Sequence, residues 1–202
     1  MGWYDVFALI YDRSLEDLYA PFRKAAADAL ELEPGLRVLD APSGTGQSLP
    51  LLVSAVGPTG EVVALDASRG MLERARRRAV REGWTQVSLR YGRVPEALPE
   101  ASRGMPFDAV LCALGLSALP RDAFDALWAQ LKPGGRFVLF DVYAEQSSLQ
   151  TKMVEWMAQA RLTERWWEEL AAASSDFRRE VLPADPRRLG GELYVAAGRK
   201  PL

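Results

Sequence analysis

The 202-residue sequence predicts an α/β fold, with a doubly wound, mostly parallel seven-stranded sheet, an antiparallel last strand and a short N-terminal helical cap. Short apolar runs alternate along the chain with helical patterns. The first two runs end in acids, Asp40 and Asp66, and a glycine-bearing loop follows the first run directly. Strands that alternate with helices at this spacing are typical of a parallel sheet, because each parallel connection needs a long crossover.

Helical patterns precede the first predicted strand. Trp3–Tyr11 and Glu16–Leu30 are predicted as two helices, and the second places its apolar residues on roughly one face. Pro34 and Gly35 stop this second helix, because the pair favours a turn. The first 33 residues are therefore expected to form the helical cap.

Five parallel strands and the helices between them account for the middle of the chain. The strands are predicted at Arg37–Asp40, Glu61–Asp66, Gln86–Tyr91, Phe107–Ala113 and Arg136–Asp141. The helices are predicted at Gln47–Ala55, Arg69–Glu82 and Arg121–Leu131. Ser68 is placed to cap the second helix and Gly83 to end it. Residues 95–106 are expected to form a loop with room for one helical turn.

The last third of the chain has a different pattern. Thr151–Leu170 is predicted as one amphipathic helix that is rich in tryptophan, and this helix is compatible with a homodimer. Phe177–Leu182 and Glu192–Ala197 are two extended pieces joined by a short loop with proline and glycine. This arrangement predicts a closing antiparallel pair of strands.

Composition excludes several functional classes. The chain has no histidine, so it cannot use a His-based triad, an imidazole base or a His-ligated metal, and no metal cofactor is expected. A net charge of −2 and a pI near 5.4 disfavour a broad nucleic-acid-binding face. No apolar run is long enough for a membrane span. The single cysteine, Cys112, suits a reducing compartment, so a cytoplasmic location is expected.

The stretch from Asp40 to Ser48 is the strongest functional signal in the sequence. It has the pattern of a strand end, a tight turn of small residues and the start of a helix. Small residues let backbone N–H groups approach a ligand closely, and this edge of an open α/β sheet is where ligands bind. Asp66 ends the second strand, where a carboxylate can accept both hydroxyls of a ribose. For Asp40 the alternative is a role as the cap of the following helix.

This stretch resembles motif I of the class I S-adenosylmethionine (SAM) methyltransferases, usually Asp-x-Gly-x-Gly-x-Gly. Here it reads Asp40-x-Pro42-x-Gly44-x-Gly46, so proline replaces the first glycine. The turn at residues 131–135, Leu-Lys-Pro-Gly-Gly, resembles the one before the fifth strand of these enzymes, and residues 4–12 are similar to the start of the ubiquinone/menaquinone C-methyltransferases. The resemblance implies one Rossmann-like domain over residues 1–202, with a cap (1–33), a SAM-binding core (34–141) and a C-terminal helix with closing strands (142–202).

The resemblance also implies which residues hold the methyl donor. In this family Asp66 would meet the ribose, Met71 the adenine face, and the backbone near Ala113 the methionine part of SAM. Arg93 stands where these enzymes usually carry an acid for the adenine amino group, and the Val94 N–H would serve adenine N1. The full set of implied cofactor-binding residues is Tyr11, Asp40, Pro42, Gly44, Gly46, Asp66, Ala67, Met71, Arg93, Val94 and Ala113.

The predicted function is SAM-dependent methyl transfer to a small-molecule acceptor, with S-adenosyl-L-homocysteine as the product. No catalytic residue is assigned, but Tyr11, Asp141 and Tyr143 are candidates for a general base. One alternative is a SAM-binding protein that does not methylate, because Pro42 and Arg93 depart from the family motifs. A nicotinamide dehydrogenase is a weaker alternative, because Leu49 stands where its third glycine would be.

Overall fold

A computed structural model describes residues 16–202, with the side chains described from residue 18 onward, so the predicted helix Trp3–Tyr11 lies outside the described residues. The strands are β1 (Arg37–Asp40), β2 (Glu61–Asp66), β3 (Val87–Tyr91), β4 (Phe107–Ala113), β5 (Leu131–Tyr143), β6 (Arg178–Val181) and β7 (Glu192–Arg199). The α-helices are α1 (Glu16–Ala29), α2 (Leu49–Val56), α3 (Arg69–Arg81), α4 (Leu98–Ser102), α5 (Ala123–Ala129), α6 (Leu149–Ala158), α7 (Trp167–Ala173) and α8 (Pro186–Leu189). A 3₁₀ turn spans Leu116–Ala118.

The strands form one seven-stranded sheet in the order β3-β2-β1-β4-β5-β7-β6. Strands β1 to β5 pair in parallel, whereas β7 runs antiparallel to both of its neighbours. The chain moves outward from β1 to β3 on one side and from β4 to β5 on the other, so the winding reverses between β1 and β4. The predicted fold class is thereby confirmed, and this point of reversal is where ligands bind in open α/β sheets.

The strand bounds at the centre of the sheet agree with the prediction. β1, β2 and β4 begin and end at the predicted residues. α3 follows Ser68, whose hydroxyl accepts a hydrogen bond from the Met71 N–H at 3.2 Å, as expected for a helix cap. Because these apolar strands alternate their side chains between two faces, Val38 packs in one buried layer and Leu39 in the other.

The single predicted helix over Thr151–Leu170 is wrong. α6 ends at Ala158, where Gln159 has a left-handed backbone, and α7 begins only at Trp167. Leu162 explains the interruption, because its carbonyl accepts a hydrogen bond from the Ala144 N–H at 2.8 Å and its own N–H donates to the Glu155 carboxylate at 3.0 Å. These tertiary hydrogen bonds replace the intrahelical ones, and the amphipathic pattern alone does not reveal them.

The fifth strand is longer than predicted because the glycine turn before it belongs to it. β5 starts at Leu131, which pairs with Phe107, but Arg136 already pairs with Ala109. The extra residues of β5 therefore form a bulge in the ladder, and Lys132 within it donates to the Asp108 carboxylate at 2.6 Å. A sequence that signals a turn is here accommodated inside a strand.

Candidate functional site

A cavity of about 500 Å³ lies at the carboxyl edge of the sheet, at the point where the winding reverses. Its walls come from the loop after β1, the ends of β2, β3 and β4, the first turn of α3, and single residues of α1 and α6. The predicted residues that line it are Pro42, Gly44, Asp66, Ala67, Met71, Arg93, Val94 and Ala113. Of the other predicted residues, Asp40 and Gly46 do not line the cavity, and Tyr11 lies outside the described residues.

Asp66 links the two loops on either side of the cavity. Its Oδ2 accepts the Gly44 N–H at 2.8 Å, and its Oδ1 accepts the Ser68 N–H at 2.8 Å. The side chain is 8% exposed, and burial raises the pKa of its carboxyl above the usual value, against the hydrogen bonds that favour the charged form. Asp66 therefore shapes the loop and still presents lone pairs to the cavity, since each carboxylate oxygen can accept two hydrogen bonds.

Asp40 is buried and does not line the cavity. It is 1% exposed, and neither of its oxygens has a hydrogen-bond partner among the described residues. Burial raises the pKa of the Asp40 carboxyl to about 7; the guanidinium of Arg23 opposes this rise and the charge of Asp66 adds to it. A buried carboxylate without hydrogen bonds is costly in its charged form. Burial therefore favours the protonated form of Asp40 and moves its titration toward neutral pH.

The loop also carries uncompensated polar atoms at the cavity. The Ser43 hydroxyl, the Thr45 hydroxyl and the Gln47 amide nitrogen are buried and have no hydrogen-bond partner within residues 16–202. The other end of the Gln47 amide is fixed, because Oε1 accepts from Arg23 Nη2 at 2.6 Å. Buried donors and acceptors that a protein leaves unpaired indicate a place where a ligand or water completes them.

The lack of a side chain at Gly115 explains how the loop accommodates the ring of Pro42. A Cβ atom on Gly115 would lie 2.2 Å from Pro42 Cγ, so the proline ring occupies the space that a side chain at 115 would need. The two residues together form one wall of the cavity where β1 and β4 end side by side. The departure of Pro42 from motif I is therefore matched by a glycine across the wall.

The wall formed by the segment after β4 is apolar. Its described members are Ala113, Leu114, Gly115, Ala118, Leu119 and Pro120, and Ala158 of α6 lies on the same cavity. Leu114 has a φ of 54°, a backbone conformation that costs a leucine about 1 kcal/mol or more, and its N–H donates to the Phe140 carbonyl at 2.6 Å. Strain of this kind often accompanies a functional site.

Two predicted base candidates do not face this cavity. Asp141 is 2% exposed and accepts hydrogen bonds from the Ser117 N–H at 3.2 Å and the Ser117 hydroxyl at 3.3 Å. Burial raises the pKa of Asp141 to about 6, opposed by these hydrogen bonds and one from the Val142 N–H. The Tyr143 hydroxyl accepts from Arg165 Nε at 3.1 Å. Both side chains hold the fold together at the end of β5 and line no part of the described cavity.

A comparison with protein-family models shows the family of this chain. A family model for a methyltransferase domain matches residues 32–180. The chain belongs to the methyltransferase-domain family. The expected resemblance to the class I SAM-dependent methyltransferases is confirmed by this match, by the order of the strands and by relatives of the same class.

Individual relatives of this methyltransferase-family chain are moderately similar. It is 31% identical over 140 residues to a ubiquinone/menaquinone biosynthesis C-methyltransferase of Ectopseudomonas mendocina, covering 68% of this chain and 54% of that one. It is 40% identical over 112 residues to a protein-L-isoaspartate O-methyltransferase of Methylorubrum extorquens, covering 55% of this chain and 44% of that one. The chain thus spans about half the length of these curated relatives.

Among solved structures, a Haloferax volcanii protein in complex with the Trm112 methyltransferase activator superimposes with a TM-score of 0.73. The match covers 98% of both chains at 18% sequence identity. At this identity the likeness concerns the fold alone. It agrees with the fold class that the sequence predicts.

The residues of the cavity fit SAM, the donor that this family uses. A ribose needs hydrogen-bond acceptors, which Asp66 offers, and an amino-acid moiety needs both donors and acceptors, which Ser43, Thr45 and Gln47 leave uncompensated. The apolar wall after β4 suits a methyl group and its acceptor. Specific contacts between SAM and each of these residues remain predictions.

The prediction did not name several residues that line the cavity, among them Arg23, Glu96 and the loop residues Ser43, Thr45 and Gln47. Arg23 lies on α1 and binds Ser48 Oγ at 3.2 Å in addition to Gln47, so it ties the helical cap to the loop. A charged residue beside Phe22, on the apolar face of the helix, was the available signal. Glu96 also lines the cavity, three residues after Arg93, but nothing in the sequence marks it.

Within the described part of the chain, no helix is both long and apolar enough to cross a membrane. The same residues contain no cluster of three or more Cys, Asp or Glu side chains arranged to hold a metal ion.

Proposed function

We propose that this protein transfers a methyl group from SAM to a small-molecule acceptor with an apolar surface. The observation that carries the proposal is the composition of one cavity. Polar atoms without partners lie on its loop, a carboxylate lies at the end of β2, and an apolar wall follows β4. This order matches a donor with a charged amino-acid end, a ribose and a reactive methyl group.

The proposed roles follow from the positions of the side chains. SAM supplies a methyl group activated by its sulfonium. Asp66 accepts the ribose hydroxyls, while Ser43, Thr45 and Gln47 bind the amino-acid end. The apolar segment after β4 orients the acceptor and excludes water, and this positioning of two reactants accounts for much of the rate increase in such transfers. No catalytic residue is assigned; Tyr11, one of the three candidates for a general base, lies outside the described residues.

A small-molecule acceptor is favoured by the apolar wall and by the modest size of the cavity. The relatives described above are named as a ubiquinone/menaquinone biosynthesis C-methyltransferase and a protein-L-isoaspartate O-methyltransferase. The net charge of −2 argues against a broad nucleic-acid face. The single-domain organisation, the homodimer and the cytoplasmic location belong to the same proposal.

A SAM-binding protein without transferase activity is the second candidate function. Arg93 favours it, because a guanidinium on the cavity wall cannot accept the hydrogen bond of an adenine amino group. Pro42 favours it less, since Gly115 makes room for the proline ring.

The test combines binding with turnover. The purified protein is titrated calorimetrically with SAM and with S-adenosylhomocysteine, and then incubated with radiolabelled SAM and a panel of apolar phenols, thiols and amines. Saturable binding with transfer to one class of acceptor supports the proposal. The transfer assays are repeated with Trm112 added as a candidate activator. Binding of both nucleosides without transfer to any acceptor, with or without Trm112, favours the second function. Failure to bind either nucleoside contradicts both.

A further inference from the structure

Two of the described residues that line the cavity are acids, Asp66 and Glu96. The Asp66 oxygens already accept from the Gly44 and Ser68 N–H groups. Glu96 is exposed, lines the cavity, and forms no ion pair or hydrogen bond with any residue that the structure describes. Its carboxylate is therefore available to a ligand, although Arg93 lines the same wall.

A short turn that begins at the end of β3 carries Glu96 on the cavity that Asp66 also lines. The Gly92 N–H donates to the Asp66 carbonyl at 3.0 Å, and the Ala97 N–H donates to the Arg93 carbonyl at 2.8 Å. A Cβ atom on Gly92 would lie 2.3 Å from the Ala97 Cβ, so the absence of a side chain at 92 lets the turn fold back on itself. Arg93 and Glu96 are three residues apart in this turn, and both line the cavity.

The turn forms the end of the cavity that lies past Asp66, on the side away from the loop after β1. A nucleoside whose ribose is held by Asp66 places its base there. The same end is walled by Tyr91, with the Arg69 guanidinium 4.1 Å above its ring, and by Met71. Flat and polarisable side chains of this kind suit a purine.

The hydrogen-bond donors and acceptors on the edge of the base decide which side chain can bind it. Adenine presents an amino group, which donates, beside N1, which accepts, whereas a 6-oxo purine presents the reverse pattern. Arg93 only donates hydrogen bonds, so it cannot receive the amino group, whereas the Glu96 carboxylate only accepts. We propose that Glu96 accepts the hydrogen bond of the adenine amino group and makes the site selective for adenosyl over 6-oxopurine nucleosides. This inference rests on the proposed function, since it assumes that SAM occupies the cavity.

The experiment compares two ligands that differ only at this edge, S-adenosylhomocysteine and S-inosylhomocysteine. Both are titrated into the wild type, Glu96→Gln, Glu96→Ala and the control Glu100→Gln. Glu100 is an exposed acid of α4, near in sequence, that does not line the cavity. A hydrogen bond to a charged acceptor predicts that the wild type prefers the adenosyl ligand by about tenfold or more.

In Glu96→Gln this preference is expected to collapse, because the amide can donate to the 6-oxo group as well as accept from the amino group. Glu96→Ala is expected to weaken the binding of S-adenosylhomocysteine by a similar factor without strengthening the binding of S-inosylhomocysteine. The Glu100→Gln control keeps the wild-type ratio, and thermal unfolding confirms that each variant is folded.

An unchanged ligand ratio in Glu96→Gln and Glu96→Ala overturns the inference while the proposed function stands. A wild type that prefers the inosyl ligand also overturns it, and assigns the base edge to Arg93. If the wild type binds neither ligand, the proposed function itself fails, and this result is visible before any variant is measured.

Discussion

The Asp66 carboxylate, at the end of β2, accepts a hydrogen bond from the backbone N–H of Gly44 at 2.8 Å. The acid expected to bind the ribose therefore also holds the loop that is expected to bind the amino-acid end of SAM. One substitution at Asp66 can act on both, so its effects on affinity and on stability must be separated.

We expect Asp66→Ala to weaken S-adenosylhomocysteine binding by about 100-fold, because the ribose and the loop both lose an acceptor. Asp66→Asn retains one acceptor oxygen but turns an amide NH₂ toward the second backbone N–H, so its free energy of unfolding should fall by about 1–3 kcal/mol while affinity also falls. Calorimetric titration and urea denaturation measure the two quantities. Wild-type affinity in Asp66→Ala would remove Asp66 from the proposed site.

The pairing of Pro42 with Gly115 predicts non-additive stability. Gly115→Ala places a methyl group against the proline ring and should lower the free energy of unfolding by about 1–3 kcal/mol. Pro42→Gly removes the ring, so the double variant should recover most of this loss. Urea denaturation of both single variants and the double variant gives the coupling energy. Additive effects would mean that the backbone, not the ring, excludes a side chain at 115.

Asp40 predicts that stability falls as the pH rises. Its pKa is raised from 3.8 to about 7, so between these values the folded protein holds a proton that the unfolded chain has released. Because the folded state binds more protons in this window, the free energy of unfolding decreases from about pH 4 to about pH 7 and then levels off.

Asp40→Asn should therefore stabilise the protein at pH 8 by an amount on the order of 2 kcal/mol and have little effect at pH 4. Asp141, with a pKa raised to about 6, contributes a weaker dependence of the same sign, which the Asp40 variant retains. Urea denaturation across this pH range, with the exposed Asp28→Asn as the control, makes the measurement. If the free energy of unfolding of Asp40→Asn depends on pH as steeply as that of the wild type, a group other than Asp40 is responsible for the dependence.

Leu114 predicts a difference between two small substitutions. Both Leu114→Ala and Leu114→Gly remove the side chain from the apolar wall, but only glycine adopts a φ of 54° without cost. We expect the glycine variant to be about 1 kcal/mol more stable than the alanine variant. In turnover assays both should accept bulkier acceptors than the wild type does. Equal stability would show that the strain at 114 is relieved elsewhere in the segment.

The central strands could be predicted from the sequence because they are short apolar runs bounded by acids, glycines and a helix cap, which are all local signals. The break in the predicted helix at Gln159 could not, because it depends on the contact of Leu162 with Ala144 across the fold. The same holds for the bulge at Lys132, whose glycines signal a turn whether or not a strand contains it.

At the candidate site, the loop and Asp66 could be predicted because a run of small residues directly follows the first apolar strand and an acid ends the second. Arg23 and Glu96 could not, since each reaches the cavity only through the way its element packs. Asp40 shows the reverse case. Its place at the end of β1 suggested a binding residue, but its carboxyl is buried and does not line the cavity.

The contact of Arg23 with Gln47 and Ser48 makes the position of α1 and the occupancy of the cavity thermodynamically linked. A donor that changes the free energy of the loop also changes the free energy with which α1 packs on it. By reciprocity, anything that changes the packing of α1 changes the affinity for the donor by the same factor.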